Sequence, residues 1–184
     1  MREAAIPVFK PNVSQQEAVR VFSSRGLAGI YWTLRSGPLQ RIAGAYVPFS
    51  LYSVRYMSNR TGVQRWFALD AAQGSLDLFE FPKPPSPETL EMIQTRNFIE
   101  PTLSEADGLA RLREKVLRVI FQQGFFKLRG PHLEIERQAG VVYMPYWLGF
   151  YGGRNSVRCR VLDAVRRRFE GAKASAFFEQ WLVA

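Results

Sequence analysis

The chain has 184 residues, of which 47% are hydrophobic and 14% aromatic, and its formal net charge at pH 7 is +9. This composition predicts a folded protein rather than a disordered one. A single cysteine excludes an internal disulfide, and no stretch reaches the roughly 18 to 20 apolar residues that a membrane span needs. Without an apolar leader at the N-terminus, we expect a cytoplasmic protein.

The first predicted element is a helix that begins after Ser14. This serine with Glu17 three residues later forms the pattern that satisfies the free amide groups of a first helical turn. Aromatic and β-branched residues then predict strands. We place them at residues 30–34, 40–56, 63–69 and 75–81, with a hairpin turn at residues 58–62.

A proline-rich stretch divides the chain. Residues 81–88 read Phe-Pro-Lys-Pro-Pro-Ser-Pro-Glu, which is typical of a stiff, extended connection. We therefore predict a first domain at residues 1–84, a linker at residues 85–92 and a second domain at residues 93–184.

The second half repeats this order of elements. Ser104 and Asp107 predict the start of a longer helix, whose apolar residues recur at three- and four-residue spacing. Strands are predicted at residues 132–136, 141–151 and 156–162, and a closing helix at residues 171–183. Pro48 and Pro145 recur within the middle strands and favour a bulge, an edge or a strand start there.

Three short motifs recur in the same order in the two halves, at spacings of 90, 97 and 93 residues. They are Val13-Ser14 with Leu103-Ser104, Tyr46-Val47-Pro48 with Tyr143-Met144-Pro145, and Leu69-Asp70-Ala71 with Leu162-Asp163-Ala164. An internal repeat indicates architecture before activity. The predicted fold class is α+β, with two tandem repeats that each place a helix on a small antiparallel sheet, packed as a pseudo-symmetric unit.

The capped helix, the hairpin and the closing Leu-Asp-Ala of each half resemble PepSY domains and the wider cystatin-like folds. The ending Leu69-Asp70-Ala71-Ala72-Gln73-Gly74 is similar to that of PepSY strands, whereas Ala164 is followed by Val-Arg-Arg and lacks the glycine. The resemblance implies a non-catalytic binding or regulatory module. It transfers no catalytic residue to this chain.

Residues with catalytic chemistry are few. His132 is the only histidine, which excludes a multi-histidine metal site, and we expect it on the surface or at a strand edge. Alternation in residues 157–161 predicts that Cys159 is buried. Asp70 and Asp163 match in the repeat, and we expect them to cap the turns that follow their strands rather than to act as an acid–base pair.

Basic residues provide a more specific hint, because residues 93–184 carry 15 Lys and Arg against 9 Asp and Glu. An arginine surface beside an aromatic platform could neutralise phosphates and stack bases. In the other interpretation, the aromatic residues form the core face of the sheet and the arginines its solvated face. The candidate polyanion-binding residues are Arg154, Arg158, Arg160, Arg166, Arg167 and Arg168, and the candidate platform is Tyr143, Tyr146, Trp147 and Phe150.

The sequence therefore predicts a non-enzymatic module that binds a protein or peptide, or a second copy of itself, through a sheet face or edge. The alternative is a nucleic-acid-binding protein that uses the arginine surface. A hydrolase or transferase is a third class. We expect no cofactor, no metal ion and no membrane span.

Overall fold

A computed structural model describes residues 3–23, 32, 34, 36–58, 61–122, 132–153 and 156–183. The strands with bounds in these ranges are β1 Ala4–Phe9, β2 Leu39–Ser58, β3 Thr61–Asp70, β4 Phe79–Phe81, β5 Leu90–Thr95, β6 Leu133–Gly153, β7 Ser156–Asp163 and β8 Arg168–Phe169. The helices with bounds there are α1 Gln15–Phe22, α2 Glu105–Gln122 and α3 Ala172–Val183, and a 3-10 turn covers Pro87–Thr89.

The eight strands form one sheet, so the predicted pair of small sheets, each with its own helix, is wrong. The strand order is β4-β3-β2-β6-β1-β5, and β7 pairs with both β6 and β8. The two long strands, of 20 and 21 residues, were each predicted shorter. In particular, two strands were predicted at residues 132–136 and 141–151, but Leu133–Gly153 forms the single strand β6, in which Gly140 has a φ of +83°.

The chain divides into two compact units, and each of them contains segments of both halves of the sequence. Unit 1 consists of Met1–Val47, Leu90–Ile99 and Tyr143–Ala184, and unit 2 of Pro48–Thr89 and Glu100–Val142. Each unit thus joins segments that the predicted domains kept apart, which explains why the predicted fold failed although most of its elements were found.

In unit 1, α1 packs on the hairpin of β6 and β7. Its buried residues Ala18 and Phe22 share a core with Tyr151, Leu162 and Ala164. Helix α3 contacts the same hairpin at Tyr146 of β6. The centroids of the Phe178 and Tyr146 rings lie 5.5 Å apart.

In unit 2, α2 packs on the hairpin of β2 and β3. Leu112, Val116 and Ile120 form one buried stripe of the helix, as the predicted spacing requires. This stripe shares a core with residues of both strands and of β6, namely Tyr52, Val54, Tyr56, Phe67, Leu69 and Leu133.

Matched positions of the two sequence halves make matched contacts. The amide of Ala71 donates to the carbonyl oxygen of Pro48 (2.7 Å), and that of Ala164 donates to Pro145 (3.1 Å). Val8 pairs in parallel with Tyr143, and Phe98 in the same way with Tyr46. The helix of each sequence half therefore lies on the hairpin of the other half.

Candidate interaction surfaces

The triple arginine lies beyond β7, in unit 1, and each of its side chains has an acidic partner there. Arg166 pairs with Asp163 (2.6 Å) and Glu170 (3.0 Å). Arg167 pairs with Glu17 of α1 and also donates to the carbonyl oxygen of Asn12. Arg168 contacts Glu170 at 3.4 Å. A polyanion that binds here has to compete with these carboxylates.

The two arginines of β7 differ in exposure. Arg158 is exposed, whereas Arg160 keeps only 8% of its surface accessible. The Arg160 guanidinium carbon lies 3.4 Å from the centroid of the Phe169 ring and 5.4 Å from that of Trp32. Stacking between two aromatic rings stabilises a cation that has lost its water. Arg154 lies outside the described residues.

The predicted aromatic platform is largely a core face. Tyr143, Tyr146 and Phe150 are buried, and Trp147 is half-buried. The Trp147 indole donates to the carbonyl oxygen of Val13 (2.9 Å), so its polar end is engaged by the segment before α1. These four side chains offer little ring surface on which a nucleic-acid base could stack.

The matched aspartates cap turns, as predicted. The Asp70 carboxylate accepts hydrogen bonds of 2.7–2.8 Å from the amides of Gln73, Gly74 and Leu76. Asp163 accepts bonds from the amides of Val165 and Arg166, in addition to its ion pair with the Arg166 side chain. Both carboxylates are fully buried, so each holds a strand end to the loop that follows it.

His132 and Cys159 are the other titratable candidates of the sequence. His132 is exposed at the residue before β6. Cys159 is buried as predicted, and burial, followed by the nearby charge of Glu179, raises the pKa of its thiol to about 12. A thiol with such a pKa is protonated at neutral pH and is a poor nucleophile.

A small cleft in unit 2 gathers polar groups near the N-terminus of α2. Arg137 pairs with Glu105 (3.2 Å) and donates to the Ser50 hydroxyl (3.3 Å). Burial raises the pKa of the neighbouring Tyr52, and the Arg137 charge and a hydrogen bond with Ser50 oppose this shift. The charged groups of the cleft thus satisfy one another.

The open edge of β5, in unit 1, was not predicted, because the predicted linker at residues 85–92 covers the first three residues of this strand. Among the described strands β5 pairs with β1 alone, in a register that sets Leu90 opposite Phe9 and Thr95 opposite Ala4. Met92 at its centre is 66% exposed, and Glu91 and Gln94 beside it are exposed. Residues 90–95 lack a regular alternation of apolar and polar residues, so they gave little strand signal against the prolines before them.

Comparison with protein-family models, with curated proteins and with solved structures returned no significant match. The resemblance to PepSY and cystatin-like folds therefore stays a prediction. None of the described helices is long and apolar enough to cross a membrane. Over the same residues, His, Cys, Asp and Glu side chains form no cluster that could hold a metal ion.

Proposed function

We propose that this protein is a non-catalytic binding module that takes up an extended segment of another protein along the open edge of β5. The observation that supports this function is a six-residue strand that pairs with only one neighbour among the described strands and has an exposed methionine at its centre. An unpaired strand edge presents a row of backbone donors and acceptors to an incoming strand.

The backbone direction of β5 follows from its partner. Pro7 lies opposite Met92 and has no amide proton, so this pair cannot exchange two hydrogen bonds. If the N–H and C=O groups of Met92 point away from β1, every backbone hydrogen bond between β1 and β5 can still form. We expect the same direction at Leu90 and Gln94, two residues away on either side.

Nucleic-acid binding by the arginine surface has weaker support. Its triple arginine is engaged with Asp163, Glu170 and Glu17, and Arg160 is enclosed by aromatic rings. The protein partner is therefore the function that the geometry favours.

A library of extended ten-residue peptides, displayed on phage and selected against the full chain, provides the probe. We expect Met92→Pro to weaken the selected peptides about tenfold or more, because it removes an outward amide that pairs with the peptide. Met92→Ala keeps that amide and should have a smaller effect. Met57, which is 55% exposed on a strand with neighbours on both sides, supplies the control variant Met57→Ala.

Hydrogen exchange of the free and peptide-bound chain tests the same site without substitution. The amides of Met92 and Gln94 should exchange rapidly in the free protein and become protected by the peptide, whereas Ile93 is protected in both states. Peptides that bind Met92→Pro as tightly as the original chain, or binding lost on a moderate increase in salt, would contradict the proposal.

A further inference from the structure

The segment before and within α1 fits the hairpin of β6 and β7, which belongs to the other half of the sequence. The backbone amide and the side chain of Asn12 donate to the carbonyl oxygens of Ala164 (2.8 Å) and Val165 (2.7 Å). The Tyr151 hydroxyl donates to the carbonyl oxygen of Phe22 at the end of the helix (3.0 Å). Polar bonds therefore hold both ends of this segment.

Shape complementarity fixes the centre of the same contact. The Phe22 ring lies so close to Gly149 that a methyl group added at this glycine would overlap it. Phe22 is almost fully buried and shares its core with Leu162. The hairpin is thus shaped to receive an aromatic residue from the first half of the chain.

The contact of α2 with the hairpin of β2 and β3 also pairs a glycine with an aromatic residue, but the glycine is on the helix and the aromatic residue on the hairpin. Here the helix contributes Gly108 and the hairpin contributes Tyr52, whose hydroxyl would lie 3.0 Å from an added methyl group. The Leu103 amide donates to the carbonyl oxygen of Ala71 (2.9 Å), and the Thr102 hydroxyl to that of Ala72 (2.8 Å). The second half thus places its helix on the first hairpin.

The covalent connection between the halves runs through exposed residues. Pro82, Lys83, Pro84, Ser86 and Pro87 are all exposed. The hydrogen bonds that Ser86 accepts from Thr89 stay within the connection. These residues join the halves without forming the cores of α1 and α2.

We infer that residues 1–84 and 93–184 are two complementary binding partners, each a receptor for the strand–Pro-Xaa-apolar-Ser–helix segment of the other. A second copy of this chain can then supply the segment, so the protein exchanges halves between copies. This inference does not depend on the open edge of β5, and the Met92 variants leave it untouched. Exchange of identical elements between copies is a common route to dimers.

The test cleaves the folded protein between its two halves. A recognition sequence for a site-specific protease replaces residues 83–86, the intact variant is allowed to fold, and the protease is then added. We expect the two fragments to elute together as a particle of 21.1 kDa. Two cut preparations, one of them tagged on the N-terminal fragment, are unfolded and refolded together, and the tag should then retain the C-terminal fragment of the untagged preparation. Fragments that separate in native buffer, or that never form this hybrid, would overturn the inference.

Two glycine variants provide a matched control in the cut protein. Gly149→Ala should weaken the association of the fragments about tenfold or more, because its methyl group meets the Phe22 ring. Gly171→Ala adds the same group where no atom lies within 4 Å and should change nothing. Thr102→Val, a milder change, should weaken association a few-fold while the intact chain stays folded. Equal affinities for all three variants would contradict the inference.

Discussion

Arg160 shows how one strand residue can depart from the alternation around it. Cys159 and Val161 are buried, as the alternation over this strand predicted. Arg160 was predicted on a solvated face, yet Phe169 and Trp32 cover it. The alternation gives the face of each side chain, but it does not tell whether a distant aromatic ring covers that face. A pattern of arginines is therefore a poor measure of the free charge that a polyanion would meet.

The buried thiol of Cys159 should make the protein less stable at alkaline pH. Its pKa rises from 9.0 to about 12 on folding, chiefly through burial. Between pH 9 and 12 the unfolded chain loses this proton and the folded chain keeps it. Stability therefore falls as the pH rises, by up to about 1.4 kcal/mol per pH unit.

Urea unfolding across this pH range measures the effect. The decline should be shallower in Cys159→Ala, whereas tyrosines with raised pKa values, such as Tyr151, contribute equally to both proteins. Identical slopes for the two proteins would refute this account. In the native state at pH 8 the thiol should react slowly with a disulfide reagent, and it should react rapidly once the chain is unfolded.

At the scale of elements, the capping aspartates were predictable because their chemistry is local. Asp70 ends β3, and the amides that it binds lie three, four and six residues later. The pairing of β2 with β6 joins residues far apart in the sequence, so no local pattern reveals it. Pro48 and Pro145, which favoured an edge, a bulge or a strand start, lie buried inside the long strands β2 and β6, so neither is at a strand start.

The loop after β3 should depend on the charge and shape of the Asp70 carboxylate. Asp70→Asn keeps the size of the side chain, but one of its two ends becomes an amide donor that faces a backbone N–H. We expect it to lower the free energy of unfolding by about 1–3 kcal/mol, since a buried bond is lost and a donor stays unsatisfied. Asp77→Asn, at an exposed position four residues after Gln73, should change it by less than about 0.5 kcal/mol. Urea unfolding of both variants tests this, and equal stabilities would argue that the cap is dispensable.

For the whole molecule, the sequence predicts where the helices begin but not which hairpin each helix packs on. The motifs at Ser14 and Ser104 predict where helices begin, and the same residues would begin them on either hairpin. In the observed arrangement Phe22 fits against Gly149 and Tyr52 against Gly108, and these pairs of complementary size lie at distant positions in the sequence. The open edge of β5 was equally hidden, because only the full strand order shows which strand comes last.

The exchange of helices predicts how stability depends on protein concentration. In an intact chain that closes on itself as a monomer, the halves are covalently joined, so the unfolding midpoint is independent of concentration. Once residues 83–86 are cut, unfolding releases two fragments, and a tenfold dilution should lower the free energy of unfolding by about 1.4 kcal/mol. Thermal unfolding of the cut protein over a hundredfold range of concentration measures this dependence. A midpoint that stays constant after cutting would mean that each half unfolds on its own, which the shared cores of α1 with β7 and of α2 with β3 do not allow.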